Sequence, residues 1–326
     1  MKISEKKYEK LEKLSNEKGI IGALAIDQRG SIKKMMSKFK NTVENSDIVE
    51  YKKLISKNLS PFASAILLDP EYGLEASQIK DKNCGLLFAY EKTGYDATRV
   101  DRLPDILDEW SVVKLKNEGA DAIKFLLYYD IDGSEEVNKV KHAFIERLGS
   151  ECAGEDIPFF LELLCYSEKG LDKKEYAKVR PHKVISTMKE FSKGKYKVDV
   201  LKVEMPIDMN FVKEYSKDGE YVYTEQDAIK FLKEQSDATD LPYIFLSGGV
   251  SMDIFEKSLS LAKKAKAKFN GVLCGRATWQ SSVEYFAKES ASACEEHINN
   301  TCQKNILSLN KVLNNTATNW KFKLEK

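Results

Sequence analysis

The stretch PFFLELLCY, Pro158 to Tyr166, carries one charge, Glu162, in an otherwise apolar run. A strand with one wet face alternates apolar and polar residues, and this one does not. Both of its faces must be covered, which is the situation of parallel strands flanked by helices. IIGALAI at 20–26 and FLLYY at 125–129 read the same way. Working outward gives eight such runs: Ile20 to Asp27, Ser64 to Asp69, Gly85 to Glu91, Ala122 to Tyr129, Pro158 to Tyr166, Val198 to Met205, Tyr243 to Val250 and Gly271 to Arg276. Most are separated by stretches of helical periodicity. Eight strands alternating with helices in 326 residues predict an α/β fold, a closed (β/α)8 TIM-type barrel, because an open doubly wound sheet would need fewer strands for this length.

Two of the intervening segments carry helix signals. Thr224 followed by Asp227 resembles a capping box ahead of Ile229, Phe231 and Leu232. Ile106, Trp110 and Val113 fall on one stripe, with Pro104 near a start and Gly119 just past an end. A charged helix over residues 3–18 is expected to cap the barrel, and the last ~30 residues to form a C-terminal helical extension and tail. No repeat, low-complexity tract or Pro/Gly-rich linker divides the chain, so residues 1–326 are read as a single domain.

The 52 basic and 51 acidic residues leave a net charge of +1 and no unopposed basic face, which excludes nucleic acid as the expected partner. KISEKKYEKLEKLSNEKG, at 2–19, alternates charge and lacks the apolar run of a signal peptide or membrane span, so a cytoplasmic location without membrane contact is expected. Cys84, Cys152, Cys165, Cys274, Cys294 and Cys302 are scattered and read as reduced thiols. His142, His182 and His297 do not neighbour one another or a cysteine at ligand spacing, so neither a metal nor a cofactor is expected.

In such a barrel the reacting side chains sit at the C-terminal ends of strands. Lys202, in VDVLKVEMP, is flanked by Leu201 and Val203, where desolvation would push an ammonium toward a nucleophilic amine. The bland alternative is a lysine paired with Glu204 on the same face. Lys124 in DAIKFLLYY repeats the anomaly. Glu162, flanked by Leu161 and Leu163, is expected to have a raised pKa suited to acid/base work, with a structural ion pair to one of those lysines as its alternative. Asp27 ends the first strand in LAIDQRG, followed by Gln28, Arg29 and Gly30, while Asp69 in LLDPEYG reads as readily as a turn residue. LSGGVS and LCGRATW close the seventh and eighth runs, where barrels often bind phosphate; Ser247, Gly248, Gly249, Gly275 and Arg276 form that candidate group.

With these residues in place the chain resembles the class I tagatose-1,6-bisphosphate aldolases of Gram-positive bacteria. The resemblance spans nearly all of it, through ALAIDQRG, LLDPEYGL, AYEKTGYD, KFLLYYD, IERLGSECAGEDIPFFLE, YAKVRPHKV, VDVLKVE, NGVLCGRATW and NKVLNNTATNW in order. It implies a metal-independent enzyme that splits tagatose 1,6-bisphosphate into dihydroxyacetone phosphate and glyceraldehyde 3-phosphate. Lys202 matches the imine-forming lysine and Glu162 the acid/base carboxylate. Asp27, Gln28 and Lys124 match pocket residues, Ser247 and Arg276 phosphate contacts, and Arg29 is a candidate for the other phosphate. Gly248 stands where the family pattern leads one to expect alanine, which loosens that loop. The segment after AGEDIPFFLE is slightly shortened. Relaxed selectivity at C4, and hence fructose 1,6-bisphosphate as a further substrate, is implied too, and a homodimer is expected of such barrels. The alternatives are an aldolase for another phosphorylated or sulfonated ketose, such as sulfofructose phosphate, or a sugar-phosphate-sensing regulator, although a retired enzyme would be expected to have lost Lys202 or Glu162.

Overall fold

Each apolar run becomes a strand, several of them cut short at the C-terminal end. The structure, a computed structural model, describes residues 2–92, 94, 98–217 and 219–326; Thr93, Tyr95 and Asp96 of AYEKTGYD lie outside the described residues. The strands are β1 (Ile21–Ala25), β2 (Ala65–Leu68), β3 (Gly85–Ala89), β4 (Ala122–Tyr129), β5 (Phe159–Cys165), β6 (Val200–Val203), β7 (Tyr243–Leu246) and β8 (Gly271–Cys274). They form a closed barrel in chain order, with β8 pairing in parallel back onto β1, as the sequence predicts. Asp27, Asp69, Glu91 and Ser247 sit just past the strand ends, on the loops of the upper mouth, and Arg276 opens the short helix Arg276–Trp279 after β8.

Side chains alternate across a strand, so one parity of each strand fills the interior and the other packs on the helices. Ile21, Ala23 and Ala25 of β1, Leu87 and Ala89 of β3, Phe160 of β5 and Val200 of β6 share one buried cluster inside the barrel. Leu11 and Leu14, on and just after the helix Glu5–Lys13, close its lower end together with Trp320 and Leu324 of the C-terminal tail. The expected N-terminal cap and the C-terminal tail are therefore one plug. Continuing the same parity upward gives Asp27, Glu91, Lys124, Glu162 and Lys202, so the interior turns ionic toward the mouth.

Thr224 caps the helix Glu225–Ser236 in a reciprocal box with Asp227, as read from the sequence. The first helix is shorter than 3–18, starting after the Ser4 cap and ending at Lys13. The helix expected from Pro104 is also shortened, to Val112–Asn117. Ile106 instead forms an antiparallel bridge with Glu91, Lys92 N–H donates to the Asp105 carbonyl at 3.0 Å, and Leu107 N–H donates to that of Tyr90 at 3.0 Å. That backbone is committed to an extended pairing beside β3, and helix begins only once the Ser111 side chain caps it. No helix among the described residues is long and apolar enough to cross a membrane.

Candidate active site

Four strands, or the residues just past them, converge on one buried ammonium. Lys124 Nζ lies 3.0 Å from Asp27 Oδ2, 2.6 Å from Glu91 Oε1 and 2.6 Å from Glu162 Oε2. Glu162 turns its other oxygen, Oε1, to Lys202 Nζ at 2.8 Å, so one carboxylate bridges both lysines. The β5–β6 register sets this contact, since Glu162 and Lys202 are direct partners across the two strands. Lys124, Glu162 and Lys202 are all buried. The alternative partner for Lys202, Glu204, is engaged elsewhere: it accepts from Cys165 N–H at 2.8 Å and pairs with Arg180 at 3.2 Å.

Burial alone would neutralise Asp27, Lys124 and Glu162, and attraction between opposite charges reverses that. Burial pushes Asp27 upward, but Lys124 and Lys202 outweigh it and hold the carboxyl well below the ordinary range. Glu162, expected from its apolar neighbours to be raised, is lowered instead, because the pull of Lys124 and then of Lys202 outweighs burial. Desolvation would deprotonate Lys124, yet Asp27, Glu162 and Glu91 drive it well above the usual lysine value. The arrangement thus favours a cation at Lys124 and ionised carboxylates at Asp27 and Glu162. Glu204, by contrast, is raised, because burial outweighs the pull of Arg180.

Around the rim from Lys202, the ends of β7, β8 and β1 form a second cluster. Gly248 and Gly249 have φ of +60° and +81°, a region that favours glycine. A side chain on Gly249 would come within 2.8 Å of Arg276 Nη2, so the exposed guanidinium lies against that bare backbone. Gly275 approaches Ala25 O and Gln28 Nε2 as closely, to 3.0 and 3.3 Å from where its Cβ would be. Gln28 in turn donates to Asp27 Oδ1 at 3.1 Å, tying the second cluster to the first. Ser247 is buried beside Cys274, whose thiol accepts from the Thr278 hydroxyl at 3.3 Å and is raised by burial to about 11. A cavity of about 580 Å³ opens beside Gly249 and Arg276, and one of about 140 Å³ lies under Ser247 and Gly248, against Arg180 and Glu204. A cavity of about 620 Å³ near the lower end, lined by Lys268, Thr318 and Lys323, is remote from these groups.

Arg29 alone among the candidate residues is drawn elsewhere. It is buried, pairs with Glu71 and donates to the Glu91 carbonyl at 2.6 Å, so a phosphate there would have to displace Glu71. Asp69 is a turn residue, accepting from Glu71 and Tyr72 N–H at 3.1 and 2.9 Å, and also the buried partner of Lys52. Glu91 is the member of the cluster that sequence reasoning missed. It is buried and also accepts from Leu126 N–H at 3.1 Å. Parity carried the signal, since Leu87, Ala89 and Glu91 alternate onto one face, but a carboxylate at a strand end resembles any loop residue. No group of three or more histidine, cysteine or acidic side chains among the described residues is arranged to hold a metal ion.

The model of DeoC/LacD family aldolases matches residues 21–281. Tagatose 1,6-diphosphate aldolase 2 of Enterococcus faecalis is 55% identical over 317 residues, covering 97% of this chain and 96% of that protein. The tagatose 1,6-diphosphate aldolase of Streptococcus pneumoniae is 53% identical over 324 residues, covering 98% and 99%. Among solved structures, fructose-bisphosphate aldolase from Plasmodium falciparum superimposes with a TM-score of 0.69 at 18% identity, over 100% of this chain and 98% of that one. A Schiff-base-forming fructose-1,6-bisphosphate aldolase superimposes with a TM-score of 0.56 at 18% identity, covering 87% and 98%. These structural likenesses carry the fold.

Proposed function

Because the chain belongs to the DeoC/LacD family of aldolases, we propose that it cleaves tagatose 1,6-bisphosphate to dihydroxyacetone phosphate and glyceraldehyde 3-phosphate through an imine on Lys202. The observation that carries this reading is the buried pair of Lys202 and Glu162 at 2.8 Å, inside a barrel whose relatives, named for this activity, are more than half identical.

The amine of Lys202 adds to the C2 ketone and water leaves, giving an iminium. The C3–C4 bond then breaks with its electron pair drawn toward the iminium nitrogen, and an enamine forms. Glu162, which its two lysines keep ionised, takes the C4 hydroxyl proton as glyceraldehyde 3-phosphate departs. Protonation at C3 and hydrolysis of the imine release dihydroxyacetone phosphate and restore the amine. Lys124 keeps Glu162 charged and, with Asp27 and Glu91, fixes its direction. Ser247, the adjoining glycines and Arg276 hold one phosphate; backbone N–H groups freed by Gly248 and Gly249 and a guanidinium fork suit that oxyanion.

A phosphorylated ketose is an internal metabolite, which supports a cytoplasmic enzyme, and we assign it a homodimeric state to be checked by sedimentation. The chemistry is tested by borohydride reduction in the presence of dihydroxyacetone phosphate, read by intact mass. A stable adduct on the wild type and none on Lys202→Ala is expected; no adduct on either protein would overturn the imine. Matched cleavage assays with the C4 epimers, tagatose and fructose 1,6-bisphosphate, measure the relaxed C4 selectivity we infer.

A further inference from the structure

On the wall of the 580 Å³ cavity beside Arg276, the Ser281 hydroxyl lies 2.9 Å from His297 Nε2. Neither residue takes part in the cleavage chemistry. Ser281 precedes the helix Ser282–Lys288 but makes no capping bond with its side chain. Its hydroxyl is committed to the imidazole, with Cys302 Sγ at 4.0 Å as its other contact, and the residue is exposed. His297 ends the helix Ala291–His297 and stacks on Tyr285, with centroids 4.1 Å apart and planes 18° from parallel, which fixes the ring. Burial holds His297 below the ordinary histidine range, so the imidazole is neutral near pH 7. In the tautomer protonated at Nδ1, Nε2 accepts from the hydroxyl. A hydroxyl bonded to a neutral, oriented base is the pairing that activates a serine nucleophile.

The same cavity presents two cations, Arg276 and Lys38, with the amides of Gln280 and Asn305. Its acidic lining residue, Glu284, is paired with Lys288 at 2.5 Å. The lining therefore favours a small anionic reactant.

We propose that Ser281 is a phosphoacceptor site for small acyl phosphates. With the phosphoryl oxygens held by Arg276 and Lys38, Ser281 Oγ forms a bond to phosphorus as the bond from phosphorus to the acyl oxygen breaks. The hydroxyl proton passes to His297 Nε2 and from there to solvent, and the carboxylate leaves. The product, a phosphoserine, carries its charge into the cavity that contains Arg276 and competes for that guanidinium. This last consequence rests on the proposed role of Arg276 in binding substrate phosphate; the transfer itself does not.

The test is incubation of the full chain with acetyl phosphate, followed by intact mass and peptide mapping. We expect the mass gain of one phosphoryl group located on Ser281, none on Ser281→Ala, and labelling roughly 100-fold slower or worse on His297→Gln. Lys202→Ala should be labelled as fast as wild type, which separates this site from the cleavage reading. An unlabelled wild type, phosphoryl groups placed elsewhere, or Ser281 labelled equally fast in His297→Gln would overturn the proposal. Thermal midpoints of both variants, expected to match wild type, exclude loss of fold as the cause. Labelled protein should show a KM for the bisphosphate about tenfold higher at similar kcat; an unchanged KM would remove the regulatory consequence.

Discussion

The two ends of the barrel interior hold opposite chemistry, the lower one closed by the N-terminal helix and C-terminal tail, the upper one lined by the strands themselves. At the lower end Leu11, Leu14, Trp320 and Leu324 close the bore with apolar volume. At the upper end Asp27, Glu91, Lys124, Glu162 and Lys202 fill it with ions. Burying an ion costs several kcal/mol even after relaxation, and close pairing offsets that cost without turning it into a large gain. The lower end supplies stability, and the upper end uses it to keep charged groups in a dry site.

Breaking each end in turn should separate the two properties. The largest effect is expected from Lys202→Ala, which removes the nucleophile: kcat should fall by about 10⁴-fold or more, measured in a coupled cleavage assay. Glu162→Gln keeps the shape but removes the base and the bridge between the lysines. It should lower kcat by roughly 10²- to 10⁴-fold and still leave some imine trapped by borohydride. Trp320→Ala is the mirror experiment, expected to lose about 3–5 kcal/mol in urea unfolding with kcat/KM nearly unchanged. A large fall in kcat/KM there would show that the two ends are not independent.

Acid sharpens the contrast. Asp27 and Glu162 are held below their ordinary values by the lysines, so their stabilisation is fully present above about pH 5 and is lost as pH falls through the folded values. Lys124→Met should flatten this acid limb of stability against pH, whereas Trp320→Ala should lower the curve without changing its shape. The smallest effect is expected at the rim. Gly249→Ala adds a side chain at φ +81° and against Arg276, and should cost about 1–2 kcal/mol with a modest rise in KM.

The sequence made the strand core readable because continuous apolar runs leave few alternatives to covered parallel strands. All eight strands lie where the runs are, including β5, found from a run that is apolar on both faces but for one carboxylate. The helix near Ile106 was misread because three apolar residues at helical spacing also fit an extended segment paired to a neighbouring strand end. Periodicity cannot register that partner. Lys202, Lys124 and Glu162 stood out because ions inside apolar runs are costly, whereas Glu91 was hidden at a strand end, where carboxylates are common.

What the sequence determined by itself is therefore local: the strand runs, the capping box at Thr224, the glycine loops after β7 and β8, and the presence of ions at positions that must be buried. Which ion meets which was decided by tertiary structure alone. The β5–β6 register gives Lys202 to Glu162 and leaves Glu204 to Arg180. Closure of β8 onto β1 brings Gly275 against Gln28, and the Glu91 carbonyl and Glu71 hold Arg29. The reason is that pairing energy depends on separations of a few ångström between residues far apart in the chain, and only the closed barrel sets those separations.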